Sequence, residues 1–192
     1  RNFSFATYFF VFTTVLLMNS CVLFYDYAEL APAEIPNVHN QAEDFEAAGN
    51  YKKAAKAYGK LAMNHNNKEE KAIFFAKQAR CLLLANKINA AKESYEKLLK
   101  SYPLYISYED TVENLRQLAA CFEQGKGTFL GMKDEAAAAS IYELIVRESP
   151  SIHVSLNDRL KLAELLKKTK NTEEAANTYQ AILRKDPMQH EV

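Results

Sequence analysis

The residues best placed to bind a charged ligand lie in the stretch "EQGKGTFLG", residues 123–131, which combines three glycines with Lys126. Backbone N–H groups of glycine-rich turns can hold phosphate, but a phosphate loop has the pattern GxxxxGK[ST] after a strand. Here Lys126 follows Gly125 without a glycine at the required upstream spacing, and no strand precedes it. We therefore interpret residues 124–133 as an enlarged turn whose glycines allow positive φ. Its apolar residues, Phe129 and Leu130, either fold back onto the protein or face a partner.

Residue types that could act in catalysis or metal binding are present, but their spacing does not group them into a site. The histidines, His39, His65, His153 and His190, are dispersed and show no i, i+4 pairing of the kind that holds a metal on a helix. No Ser, Asp or Glu is ordered as a nucleophile with its base. Cys81 and Cys121 occupy the same slot in the first helices of two successive repeats and are either a disulfide or, as is commoner for single helical cysteines, free thiols. We predict no catalytic, metal or cofactor site, and hence no enzyme.

The composition agrees with a neutral helical protein. The chain has 192 residues, with 24 Lys and Arg against 24 Asp and Glu. No net field attracts nucleic acid, so we predict no nucleic-acid partner. Only five Gly and five Pro are present, and Trp is absent, whereas Ala, Leu, Lys and Glu dominate, as is typical of helices.

The N-terminal segment differs from the rest, because residues 2–25 contain no charged residue. Such a run indicates membrane targeting, and its length is compatible with a signal peptide or with a spanning helix. The sequence "LMNSC" ends in a small residue before Cys21 and resembles the lipobox of bacterial lipoproteins. That resemblance implies a cleaved leader over 1–20, acylation of Cys21 and a lipidated tether over 21–40. An uncleaved N-terminal anchor and an ordinary cleaved leader are the alternatives.

Residues 41–192 contain a repeated pattern. Four segments carry Ala, an aromatic residue four positions later, and Leu or Ile three positions after that. The positions are Ala54, Tyr58 and Leu61; Ala91, Tyr95 and Leu98; Ala138, Tyr142 and Ile145; Ala175, Tyr179 and Ile182. These spacings lie on one helical face, where the small Ala lets a neighbouring helix approach. A Pro or Asn five residues further on marks the end of each helix.

A second amphipathic helix precedes each copy, with its own small residue at the crossing, namely Ala42, Ala79, Ala119 and Ala163. The chain is thus predicted to be all-α, with four helix hairpins. This pattern resembles the tetratricopeptide repeat (TPR). The resemblance implies a right-handed superhelical solenoid with a concave groove, in which each hairpin stacks on its neighbours.

The enlarged turn lies inside the third hairpin, after "AKESYEKLLKSYPLYISYEDTVENLR" and before "DEAAAASIYELIVRESP". An insertion at that place in a lipidated TPR protein is similar to that of the BamD (YfiO) family of outer-membrane assembly lipoproteins. The resemblance implies a scaffold on the periplasmic face of the bacterial outer membrane. Its implied partners are a BamA-like barrel subunit, other assembly lipoproteins and unfolded outer-membrane proteins. A TPR lipoprotein for pilus assembly or cell-wall coordination is the alternative.

The groove is the predicted working surface, because mixed charge with some apolar area suits an extended peptide better than phosphate. Each of these residues could equally be part of an ordinary solvated face. The predicted protein-binding residues are Arg80, Leu83, Glu113, Arg116, Glu123, Gln124, Phe129, Leu130, Lys167 and Lys168.

Overall fold

The computed structural model describes residues 30–185, apart from the side chains of Phe129 and Lys185. Eight α-helices make up most of this part of the chain. They are α1 (Ile35–Ala47), α2 (Tyr51–Asn64), α3 (Lys68–Leu84), α4 (Ile88–Ser101), α5 (Tyr108–Glu123), α6 (Glu135–Glu148), α7 (Leu156–Lys168) and α8 (Thr172–Lys185). Each helix packs on the next along the chain, which gives four stacked hairpins, α1–α2 to α7–α8.

The core consists of the repeated positions, as the spacing predicts. The four alanines of the second helices, Ala54, Ala91, Ala138 and Ala175, are buried, and so are the Leu or Ile residues seven positions later. The crossing alanines of the first helices are buried as well. Since alanine presents only a methyl group, the helix axes can approach closely, and the aromatic rings of Tyr58 and Tyr95 fill the space beside them. The prediction of an all-α hairpin stack is confirmed.

The first helix of every hairpin ends in the same way. A residue with positive φ follows its last turn: Gly49, Asn86, Gly125 and Lys170. In the third hairpin, the N–H groups of Gly125 and Lys126 donate to the carbonyls of Phe122 (3.0 Å) and Cys121 (2.8 Å). This bonding is a Schellman motif, which satisfies the free carbonyls of a helix end. The third hairpin therefore begins like the other three, and its extra residues follow the shared cap.

These extra residues form a compact loop with its ends close together, which we call the Ω-loop (residues 125–134). The N–H of Asp134 donates to the Phe122 carbonyl at 3.0 Å, which joins the end of the loop to its beginning. Asn89 Nδ2 of α4 donates to the Gly127 carbonyl at 2.9 Å, and a Cβ on Gly127 would lie 2.6 Å from that of Ile88. The predicted enlarged turn is thus an ordered loop that covers part of α4.

The N-terminal boundary differs from the predicted one. Helix α1 begins at Ile35, so the helical region starts before residue 41, and the tether predicted for 21–40 overlaps it. Pro32 and Pro36 do not prevent this, because proline is tolerated in the first turn of a helix. The predicted leader and Cys21 lie outside the described residues. Within 30–185, no helix combines the length and apolarity needed to cross a membrane.

Candidate protein-binding groove

A groove runs along the first helices of the hairpins. One depression is lined by α1 and α3, a second by α3 and α5, and the two share Arg80 and Leu84. They therefore form one continuous surface, which we call the groove. Leu84, which is 43% exposed, provides the apolar side chain where the two halves meet.

Between α1 and α3, ion pairs join the two walls of the groove. Glu46 accepts hydrogen bonds from the Tyr58 hydroxyl at 2.7 Å and from Arg80 Nη1 at 3.0 Å. Lys77 Nζ lies 3.6 Å from Glu43 and also stands over the Tyr58 ring. Burial, followed by the bond to Glu46, raises the pKa of Tyr58, so the phenol remains a hydrogen-bond donor.

Between α3 and α5 the groove is open. Asp110, Glu113, Asn114 and Gln117 of α5 face Arg80 and Leu84 of α3 across the second depression. Within residues 30–185, no ion pair joins these two walls, although Glu113 is paired with its neighbours on α5. Amide, carboxylate and guanidinium groups can bond the N–H and C=O groups of an extended chain. This part of the groove, the α3–α5 gap, is therefore the best-placed surface for a peptide.

Beyond the gap, α5 and α7 are joined by an ion pair between the partly exposed Arg116 and the buried Asp158. Arg116 Nε and Nη2 donate to Asp158 Oδ1 (2.9 Å) and Oδ2 (2.8 Å), and Nη2 also reaches the His153 carbonyl. Asp158 also accepts from the N–H and hydroxyl of Ser155, which form the capping box of α7. Burial alone would raise the pKa of Asp158, but the bonds from Arg116 and Ser155 outweigh it and lower that pKa. Arg116 therefore fixes one repeat to the next.

Comparison with protein-family models identifies the repeat. The tetratricopeptide repeat model matches residues 77–105 and 159–187, which correspond to the second and fourth hairpins. The chain contains tetratricopeptide repeats. Because α1–α2 and α5–α6 repeat the same burial pattern and the same caps, the whole described region is a TPR helical solenoid. Comparisons with curated proteins and with solved structures gave no match.

Two of the predicted groove residues have other roles in the TPR solenoid. Leu83 is only 8% exposed and belongs to the core, so its prediction as a groove residue is wrong. The next residue, Leu84, is turned by one helical step of about 100° and reaches the groove instead. Arg116 was predicted to face a ligand, but its guanidinium is occupied by Asp158.

The remaining predicted residues lie at the surface. Glu113 lines the α3–α5 gap. Glu123 lies 3.6 Å from Lys161, and Lys168 lies 3.8 Å from Glu135, whereas Gln124 and Lys167 are exposed. Leu130 is 80% exposed, so it does not fold back onto the protein. The side chain of Phe129 is not among those that the structure describes.

Side chains that could react or bind a metal are few among the described residues. Cys81 and Cys121 are free thiols, the first buried and the second partly buried. Burial raises the pKa of Cys81 to about 12, which keeps it protonated and unreactive. Within residues 30–185, no three His, Cys, Asp or Glu side chains are close enough to hold a metal ion.

Most of the residues that line the α3–α5 gap were missed from the sequence, namely Leu84, Asp110, Asn114 and Gln117, and so was Asp158. Asp158 had a visible signal, because the Ser155-x-x-Asp158 spacing is a variant of the capping box. Leu84 and Asn114 had none, since which side of a helix faces a groove depends on the stacking angle between hairpins, and periodicity identifies only the buried face.

Proposed function

We propose that the protein is a non-enzymatic scaffold that holds an extended segment of a partner protein in the groove. TPR repeats in general mediate protein–protein interaction, which is the coarse function that the family match supports. The observation that carries the finer proposal is the α3–α5 gap, where polar groups from both walls face an unfilled space around Leu84. An extended chain would bond these groups and place an apolar side chain against Leu84.

We further propose that this scaffold is a BamD-like subunit of the machinery that assembles outer-membrane β-barrel proteins, fixed to the periplasmic face by acylation of Cys21. The position of the Ω-loop supports this assignment, because it lies in the third hairpin, as the resemblance requires. Leu130 and Met132 on that loop are exposed apolar residues suited to a second contact with a partner. A BamA-like barrel subunit and unfolded barrel proteins are the proposed partners.

The partner is tested by crosslinking the tagged protein in its own envelope, purifying it and identifying the bound proteins by mass spectrometry. Capture of a BamA-type barrel protein is the expected result. Its clean absence, with a pilus or cell-wall component captured instead, would overturn the assembly role and leave the TPR scaffold standing.

The groove is tested in the same experiment with Leu84→Glu. This change should abolish capture of the partner, because it replaces the apolar side chain that lines the gap with a charged one. Leu183→Glu on α8 is a matched control, since Leu183 is 44% exposed, as Leu84 is 43%, but lies away from the groove. Equal capture by both variants would place the binding surface elsewhere.

Acylation is tested separately by metabolic labelling with a fatty-acid analogue. The native protein should take up label and Cys21→Ser should not. Label on the Cys21→Ser protein would show that acylation occurs at another residue, and the absence of label on both would leave the anchor or cleaved-leader alternatives.

A further inference from the structure

On one edge of the solenoid, the loops between hairpins contain no charged residue. We call this edge the inter-repeat edge, and it consists of residues 65–67, 102–107 and 149–155, which join one hairpin to the next. Their sequences, HNN, YPLYIS and SPSIHVS, contain no Lys, Arg, Asp or Glu. Three of the four turns on the opposite edge do contain charges, including Lys87, Lys126 and Lys170. Surface loops are usually polar, so an uncharged series on one edge is unusual.

Large apolar side chains project from this edge. Leu104 is 87% exposed and Ile152 is 85% exposed, and Tyr105 beside Leu104 is also exposed. Both loops are held in place, because the Tyr108 ring stacks on His153 with centroids 6.0 Å apart, and Tyr102 packs against Phe75. Leu104 and Ile152 are therefore presented to the surroundings by anchored loops.

The N-terminal chain leaves the solenoid at this same edge. Helix α1 begins where α2 ends, and the N–H of Leu30 donates to Asn64 Oδ1 at 2.7 Å. Leu30, Pro32 and Ile35 lie beside Met63 in a shallow depression there. Residues 2–25, which precede this point in the sequence, are the uncharged membrane-targeting run. The segment that would hold the protein on a membrane is thus separated by four residues from Leu30, where the chain reaches the inter-repeat edge.

We propose that the inter-repeat edge lies against the lipid surface, with Leu104 and Ile152 entering the boundary between headgroups and acyl chains. This inference rests on the proposed membrane anchoring of the N-terminal segment. Leucine and isoleucine are favourable at that depth, tyrosine prefers the interface, and the connections carry no Lys, Arg, Asp or Glu that would resist insertion. The groove is then held at a fixed orientation to the membrane, and the Ω-loop on the opposite edge points away from it.

The absence of tryptophan from the native chain allows a direct test. Single-tryptophan variants of the full chain, Leu104→Trp and Ile152→Trp, are reconstituted in phosphatidylcholine vesicles with brominated acyl chains, which quench nearby tryptophan. Leu130→Trp is the matched control, because Leu130 is as exposed but lies on the opposite edge. Quenching at 104 and 152 should exceed that at 130 by about twofold or more, because inserted residues lie within the bromine-bearing layer.

Flotation of the vesicles separates the two ways in which the inference can fail. Protein that floats but shows equal quenching at all three positions would overturn the docked edge and leave the anchor intact. Protein that does not float would overturn the membrane anchoring, and the docked edge with it.

Discussion

The ion pair between Arg116 and Asp158 gives the most direct stability prediction. The Asp158 side chain is 1% exposed, and replacement Arg116→Met removes its only cationic partner among the described residues. Removing one member of a buried pair costs about 3–5 kcal/mol, because the other charge stays buried. Asp158 keeps its bonds to Ser155, and water can enter where the partly exposed Arg116 was. We therefore expect the lower end, a loss of about 3 kcal/mol in the free energy of unfolding.

The assay is urea denaturation followed by helical circular dichroism across a pH series. The pKa of Asp158 is lower in the folded than in the unfolded state, so its stabilisation is present above its usual pKa and is lost as pH falls through the folded value. The difference in unfolding free energy between native protein and Arg116→Met should thus be largest near neutral pH and shrink as Asp158 becomes protonated on acidification.

Arg147→Met is the control for this measurement. Arg147 also contacts two carboxylates, Glu143 and Glu148, but it is on the open surface of α6. Exposed pairs contribute little, so this variant should unfold like the native protein. If Arg116→Met proves no less stable than Arg147→Met, the role assigned to Arg116 as the link between repeats is wrong.

Two further pairs of variants test the core and the Ω-loop. Gly125→Ala should destabilise more than Gly49→Ala, as measured by urea midpoints, because both have positive φ but only at Gly125 would a Cβ collide with the carbonyl of Gly131. Equal effects would mean that the loop does not constrain Gly125. Tyr58→Phe should lose about 1–2 kcal/mol by breaking the bond to Glu46, whereas Tyr95→Phe should lose nothing, because the Tyr95 hydroxyl is buried without a partner. A marked loss on Tyr95→Phe would show that its hydroxyl is bonded in solution.

The fold could be predicted from the sequence because the repeat encodes its own packing. Ala54, Tyr58 and Leu61 share one helical face, and the same spacing recurs in every copy, so burial follows from periodicity alone. The starts of some helices were also visible in the sequence, because Ser and Asp are common capping residues. In the structure, Ser107 and Asp134 accept hydrogen bonds from the first turns of α5 and α6.

The groove could be predicted only in outline, because its lining depends on contacts between hairpins. Leu83 follows the buried Ala79 by four positions, so helical periodicity places it on the buried face and Leu84 outside it. Periodicity does not show, however, that Leu84 faces the groove. Leu83 stands in the repeat slot held by Glu46 in the first hairpin, where the side chain accepts from Tyr58. A leucine cannot do so, and the corresponding Tyr95 hydroxyl is left without a partner.

The same limit applies to Arg116, whose guanidinium is directed at Asp158 of α7. The two residues are 42 positions apart, so the sequence does not indicate that they pair. The capping-box spacing around Asp158, by contrast, is visible in the sequence. Long-range ion pairs are specified by the stacking of whole hairpins, which a reading of local periodicity does not contain.

The central claim, that the α3–α5 gap binds a partner protein, is tested most directly by residue-specific photocrosslinking in the native envelope. A photoreactive amino acid replaces Leu84 in the gap or, as a control, Glu93 on the exposed surface of α4. The account predicts a discrete adduct with an envelope protein from position 84 and none from position 93. Adducts of equal yield from both positions, or none from position 84 while the protein is still captured with its partner, would contradict it.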